Sequence, residues 1–157
     1  MHKRKLILDE IRARVAVAWP AARDVTEEPH AVAVPRLPAF AIRAEPRGAE
    51  PRAMNAPGAF MYEDLVTLTA WRAGGVDLEA RLLDMADALE ALVLALPAGL
   101  GGLAWSIDRE AAGVEVEAGE TRVGRLELAL LVRYATDPVP AQVPGGAFAP
   151  GFSAAFD

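Results

Sequence analysis

The chain has 157 residues, 53% of them hydrophobic, and a formal charge of −6. That length suits one domain with a sizeable core, and the apolar fraction excludes wholesale disorder. The acidic balance argues against a general nucleic-acid binder, and the lack of cysteine excludes disulfides, thiolate metal sites and cysteine nucleophiles.

The chain opens on "MHKRKLILDEIRARVAVAW". Ile7, Leu8, Ile11, Val15, Ala18 and Trp19 recur at helical spacing, so an amphipathic helix is expected. Pro20 ends it, because proline disfavours helical geometry in the residue before it. The same apolar run is cut by Asp9, Glu10, Arg12 and Arg14, which does not suit a signal peptide. No segment approaches the roughly 20 apolar residues of a membrane span, so a soluble protein without a membrane partner is expected.

Residues 20–37 read as irregular. "LPAFAIRAE" follows as a strand, with Phe40 and Ile42 alternating against Ala41 and Arg43. Prolines and glycines then predict a long loop over 45–58. "AFMYEDLVTLTAWRAGG" reads as one strand, or as two broken by a bulge near Glu63 and Asp64. Val66, Leu68 and Ala70 line one face; Leu65, Thr67, Thr69 and Trp71 line the other.

Asp77 is a candidate N-cap for the clearest element. There Leu78, Leu82, Met85, Leu89, Leu92, Val93 and Leu96 form one helical face, and Pro97 and Gly99 stop it. Two or three strands follow: the short "LAWSID", then "GVEVEAG", then "GRLELALLVRYATD". In the last, Leu126, Leu128, Leu130, Val132 and Tyr134 oppose Glu127, Ala129, Leu131 and Arg133. The turn between the last two strands predicts an antiparallel hairpin. The expected fold is α+β over residues 1–136, a mainly antiparallel or mixed sheet with two amphipathic helices packed on one face. Residues 137–157 are expected to form an extended Pro/Gly-rich arm.

Catalytic material is sparse. The two histidines are His2, at the terminus, and His30, in a loop. Ser106 and Ser153 lie in no nucleophile elbow. "PAGLGG" follows a helix instead of opening one and has no Lys or Ser/Thr after it, so it reads as a helix stop and not a phosphate cradle. Glu115 and Glu117 share one strand face; such a pair can bind a cation or work as acid and base, but a solvated strand face is the simpler reading. No catalytic, cofactor or metal residue is assigned.

Arginine dominates around the first loop: Arg36, Arg43, Arg47 and Arg52. Its planar fork suits carboxylates and phosphates alike. No aromatic residue is interleaved between Arg43 and Arg52, so a single-strand platform is unsupported, and a protein interface is preferred.

The order of these segments resembles the tail terminator proteins of long-tailed bacteriophages, prophages and gene transfer agents, also called minor tail or tail-completion proteins. The resemblance rests on the N-terminal helix, "LPAFAIRAE", "DLVTLTAWRAGG", "VDLEARLLDMADALEALV" and "RLELALLVRYATD", and covers residues 3–136. It implies a non-enzymatic virion protein without cofactors. It implies a hexameric ring that caps the head-proximal end of the tail tube, stops tube polymerisation and docks the head connector. Tube protein, connector or stopper protein and passing genome DNA are the implied partners, with assembly in the host cytoplasm. Another neck or stopper component is the alternative, but stoppers lean towards small β-barrels; a small-ligand-binding domain is a further one.

A ring needs two different, complementary patches on each subunit. Arg43, Arg47 and Arg52 on one side and Glu115 and Glu117 on the other are the expected pair. Phe148, Phe152 and Phe156 recur every four residues in the arm, and are expected to dock on an adjacent subunit or the connector.

Overall fold

The computed structural model describes residues 2–28, 37–51, 60–95 and 99–136. Helix α1 spans Lys3–Ala18 and helix α2 Leu78–Leu94. The strands are β1, Arg23–Asp24; β2, Ala39–Pro51; β3, Phe60–Gly74; β4, Ser106–Glu117; and β5, Arg122–Ala135. They form one five-stranded sheet in the order β1-β2-β3-β5-β4, antiparallel apart from the β1–β2 pair. Both helices contact the sheet and each other, α2 over β5 and β4 and α1 beside β2. The fold is α+β with a mixed sheet, as the sequence led us to expect.

Strict alternation builds the core. Phe40 and Ile42 from β2, Val66, Leu68 and Ala70 from β3, and Leu126, Leu128, Leu130, Val132 and Tyr134 from β5 all face the helices. Each turn of α1 contributes one buried residue, Ile7, Ile11 and Val15; α2 contributes Leu78, Leu82, Ala86, Leu89 and Val93. Leu8 and Trp19 are only half-buried and Ala18 is exposed, so the buried stripe of α1 is narrower than its sequence suggests.

Gly124 sets the approach of α2 to β5. A Cβ there would collide with Leu82 Cδ1 and press on Leu78. After α2, Leu100 takes the left-handed region (φ 50°) with its side chain fully in the core, a conformation costing roughly 1–2 kcal/mol for an L-residue. Burial of the leucine side chain offsets it, by about 1.5–3 kcal/mol.

Two expectations need correction, and two open alternatives take one of their forms. The predicted loop over 45–58 is strand as far as Pro51, paired to β3 down to Phe60; prolines are tolerated there because β2 is an edge beyond β1. Of the two readings of the next segment, the single strand is the outcome: β3 runs unbroken from Phe60 to Gly74, and the register shift lies on its partner, between Pro46 and Gly48. Of the two or three strands expected next, two form: Ser106–Asp108 of "LAWSID" and Gly113–Glu117 of "GVEVEAG" belong to the single strand β4, with a register shift between Arg109 and Ala111. Asp77 sits at the N-cap of α2, but its carboxylate pairs with Arg81 (2.6 Å) and makes no cap bond.

Candidate functional site

The helix-free face of the sheet carries Glu63, Leu65, Thr67, Thr69 and Trp71 from β3 and Arg125, Glu127, Ala129, Leu131 and Arg133 from β5. This follows from the period-two register. It is laced with in-chain ion pairs. Arg133 holds Glu63 at 2.7 Å and lies 3.8 Å from Asp108; Arg125 holds Glu127 at 2.6 Å and lies 3.7 Å from Glu115.

Arg47 and Glu110 approach to 3.9 Å although β2 and β4 are separated by two strands. Both residues are the extra ones at register shifts. Bulges bend and over-twist a strand, and two of them on opposite sides curl the sheet so that this face is concave. A depression of about 250 Å³ lies on it, over Ala111, Gly113 and Ala129 and rimmed by Glu115, Arg125 and Glu127.

The predicted interface residues are distributed as follows. Arg43 and Arg47 are exposed on β2, and Glu115 and Glu117 are exposed on β4, the opposite edge of the sheet. Arg47 and Glu115 already have in-chain partners. Arg43 and Glu117 have none among the described residues. Arg52, Phe148, Phe152 and Phe156 lie outside the described residues, as does His30. Among the described residues, β2 beyond Ile42 and the outer side of β4 pair with no further strand. Trp105, at the entry to β4, is 65% exposed.

One constellation escaped the sequence reading. Asp64, 2% exposed, is gripped by Arg4 through Nε (2.6 Å) and Nη2 (2.9 Å) and accepts a hydrogen bond from the buried Tyr134 hydroxyl (2.9 Å). Tyr62 stacks on Tyr134, and the His2 ring meets both edge-on. Burial, then the hydrogen bond to Asp64, pushes the Tyr134 hydroxyl up to about 12. The hydrogen bond to Asp64 likewise pushes Arg4 further up, against its partial burial. The signal was present: Asp64 falls on the same strand parity as Val66 and Leu68, where a carboxylate needs partners.

The cluster also explains the basic start of α1. Lys3, Arg4 and Lys5 oppose the helix dipole, with no acidic residue in the first turn. Each is committed to a partner elsewhere. Lys3 donates to Ala135 O (2.9 Å), Arg4 holds Asp64, and Lys5 holds Asp9 (2.7 Å). His2 Nδ1 accepts from the Arg4 amide (3.2 Å) as the N-cap. At the other end, Arg14 reaches from α1 to the Leu92 and Val93 carbonyls (3.3 Å each), which would otherwise lack donors at the end of α2.

Among the described residues, no three His, Asp or Glu side chains converge as a metal cluster. No helix among them is long and apolar enough to cross a membrane. Among the described residues, these features define a two-layer α+β sandwich with one helix-free sheet face and two edges that pair with no further strand. No protein-family model and no curated protein matches the chain.

Proposed function

We propose that this chain is a structural subunit of a phage-type tail, a tail terminator that assembles into a ring at the head-proximal end of the tail tube. The observation that carries the reading is the placement of complementary groups. Arg43 and Glu117, both exposed and without ion partners among the described residues, stand on the two opposite open edges of one sheet. A head-to-tail interface needs two different patches on each subunit, here on two different strands, and such an interface closes into a ring when the rotation allows.

In this reading β2 of one subunit faces β4 of the next. The tube protein and the head connector meet the two rims, and genome DNA passes through the centre. A passage with an acidic balance does not grip phosphates as fixed lysines and arginines would. The protein performs no catalysis and needs no cofactor for this role.

Native mass spectrometry and light scattering, on the protein alone and with tail-tube protein, test the reading. A closed ring, of order six, is expected. Arg43→Glu and Glu117→Lys should each weaken subunit association on the order of tenfold or more, and their combination should restore much of it. A chain that stays monomeric with and without tube protein refutes the proposal.

A further inference from the structure

Between the C-terminal end of α1 and the flank of α2 lies a groove of about 470 Å³. Its floor is apolar: the half-buried Trp19 and the α2 residues Met85, Leu89 and Leu92. Ala18 and Ala88 at its sides are short enough to leave it open. Two arginines flank it. Arg81 is held by Asp77 at 2.6 Å, whereas Arg72, half-buried on β3, has no ion partner among the described residues. Asp84 stands on the same rim. Among the described residues, the site therefore offers an apolar trough with one uncommitted cation, Arg72, and one uncommitted carboxylate, Asp84, and it suits an aromatic segment whose negative charge arrives on the Arg72 side.

We infer that this groove receives the Phe152–Phe156 segment of the chain's own C-terminal arm. Composition fits: residues 137–157 hold Phe148, Phe152 and Phe156, the acidic Asp137 and Asp157, and no basic residue. Aromatic rings pack well against Trp19 and against the Met85 thioether. Asp157 follows directly on Phe156 and supplies the charge for Arg72.

Reach selects which phenylalanines arrive. The arm leaves at Thr136, whose amide donates to Phe60 O (2.9 Å) at the end of the sheet far from Arg72. The distance from Phe60 to Arg72 along β3 is roughly 40 Å. From Thr136, Phe148 reaches at most about 40 Å, with nothing left for the detour around the helices; Phe152 reaches about 55 Å and Phe156 about 70 Å. A tether of this length also gives an effective concentration in the millimolar range, far above that of a second copy in dilute solution. The occupant is the arm of the same chain.

The cysteine-free sequence allows a clean test. In the full-length protein, Ala88→Cys on the groove is combined with Ser153→Cys on the arm, and air oxidation is followed on non-reducing gels at low protein concentration. An intrachain disulfide is expected, forming at least about tenfold faster than in a control pair of Thr67→Cys, on the opposite sheet face, with Ser153→Cys. Adding Arg72→Glu should slow it several-fold, while circular dichroism verifies that the domain is folded. Equal rates at the two positions, or disulfide-linked dimers in place of the intrachain product, overturn the inference. The dimers would point to a neighbouring subunit as the host. Because the readout scores a bond within one chain, it stands or falls independently of ring formation.

Discussion

Replacing Arg4 by methionine is a sharp test of how this fold is held, because it separates charge from packing. Asp64 is 2% exposed and takes its side-chain hydrogen bonds from Arg4 and Tyr134. Without Arg4, the buried carboxylate keeps the tyrosine hydroxyl alone among the described residues. Removing one partner of a buried ion pair typically costs about 3–5 kcal/mol. Asp64→Ala removes the buried charge itself and leaves Arg4, which is 32% exposed and can hydrate. Its main cost is an orphaned Tyr134 hydroxyl, worth about 1–3 kcal/mol. Arg4→Met should therefore destabilise more than Asp64→Ala, although Arg4 is the more exposed residue. The double change Arg4→Met with Asp64→Leu should recover most of the loss, since apolar replacements of a buried pair are often neutral or better. Urea unfolding at neutral pH followed by circular dichroism reads this directly: at an m-value of about 2 kcal/mol/M, a loss of about 4 kcal/mol lowers the midpoint by about 2 M. Arg4→Met within about 1 kcal/mol of wild type, or a double variant no better than Arg4→Met alone, would refute the assignment of Asp64 as a charge that depends on Arg4.

Gly124→Val should destabilise by about 1–3 kcal/mol through overpacking against Leu82 and Leu78; calorimetry checks it, and an unchanged melting temperature would mean that α2 can back away from β5. The raised Tyr134 value implies stability that is fully present below pH 10, the ordinary value, and lost as pH rises through about 12. An alkaline unfolding curve should show that loss in wild type and not in Tyr134→Phe. Asp24 behaves in the opposite sense. Burial pushes it up, but hydrogen bonds from Thr26 and Arg12 hold it below its ordinary 3.8. Its contribution is present above 3.8 and lost as pH falls through its lowered value, so Asp24→Asn should flatten the acid limb of the stability profile. Neutralising the β4 carboxylates with Glu115→Gln and Glu117→Gln should promote two-fold dimers through the open edge, visible by native mass spectrometry; a variant no more prone to dimerise than wild type would deny those charges a guarding role.

Periodicity carried much of this fold. The alternation of Leu126 to Tyr134 and of Val66 to Ala70 states the core face outright, and spacing places the inner faces of α1 and α2 to within a residue, though Leu8, Met85 and Leu92 are only half-buried and Ala86 takes a core position. The sequence hid what depends on partners distant along the chain. Pro46, Arg47 and Gly48 look like a loop until β3 is seen to hold them, because an edge strand needs ladder bonds on one side only. Asp64 looks like a break in the β3 pattern until Arg4, sixty positions away, is seen to supply its counter-charge. For the candidate interface, exposure of Arg43, Glu115 and Glu117 followed from strand parity, whereas Arg47 was expected on a loop. That Arg47 and Glu115 are partly engaged within the chain required the curvature of the sheet, which no local pattern encodes.

The distribution of charge bears on the kind of contact the open edges permit. An unpaired edge invites indiscriminate strand addition, and proteins limit this with bulges and charged side chains. β4 uses both: Glu110 is the extra residue at its register shift, and Asp108, Glu115 and Glu117 are exposed along it. Its one cation, Arg109, is turned to the helix side, where it meets Glu90 at 2.7 Å and Asp87 at 3.2 Å. Two copies of β4 placed side by side would set carboxylates against carboxylates, which is destabilising for directly opposed residues. β2 carries Arg43 and Arg47 beside Glu45 and Glu50, and so presents cations that β4 lacks on that face. Self-pairing of β4 is thus disfavoured, while approach of β4 to β2 of another copy is not. The first contact would produce a closed pair; the second uses unlike surfaces and can repeat, so under the proposed ring the charges that protect the edge would also favour the head-to-tail contact.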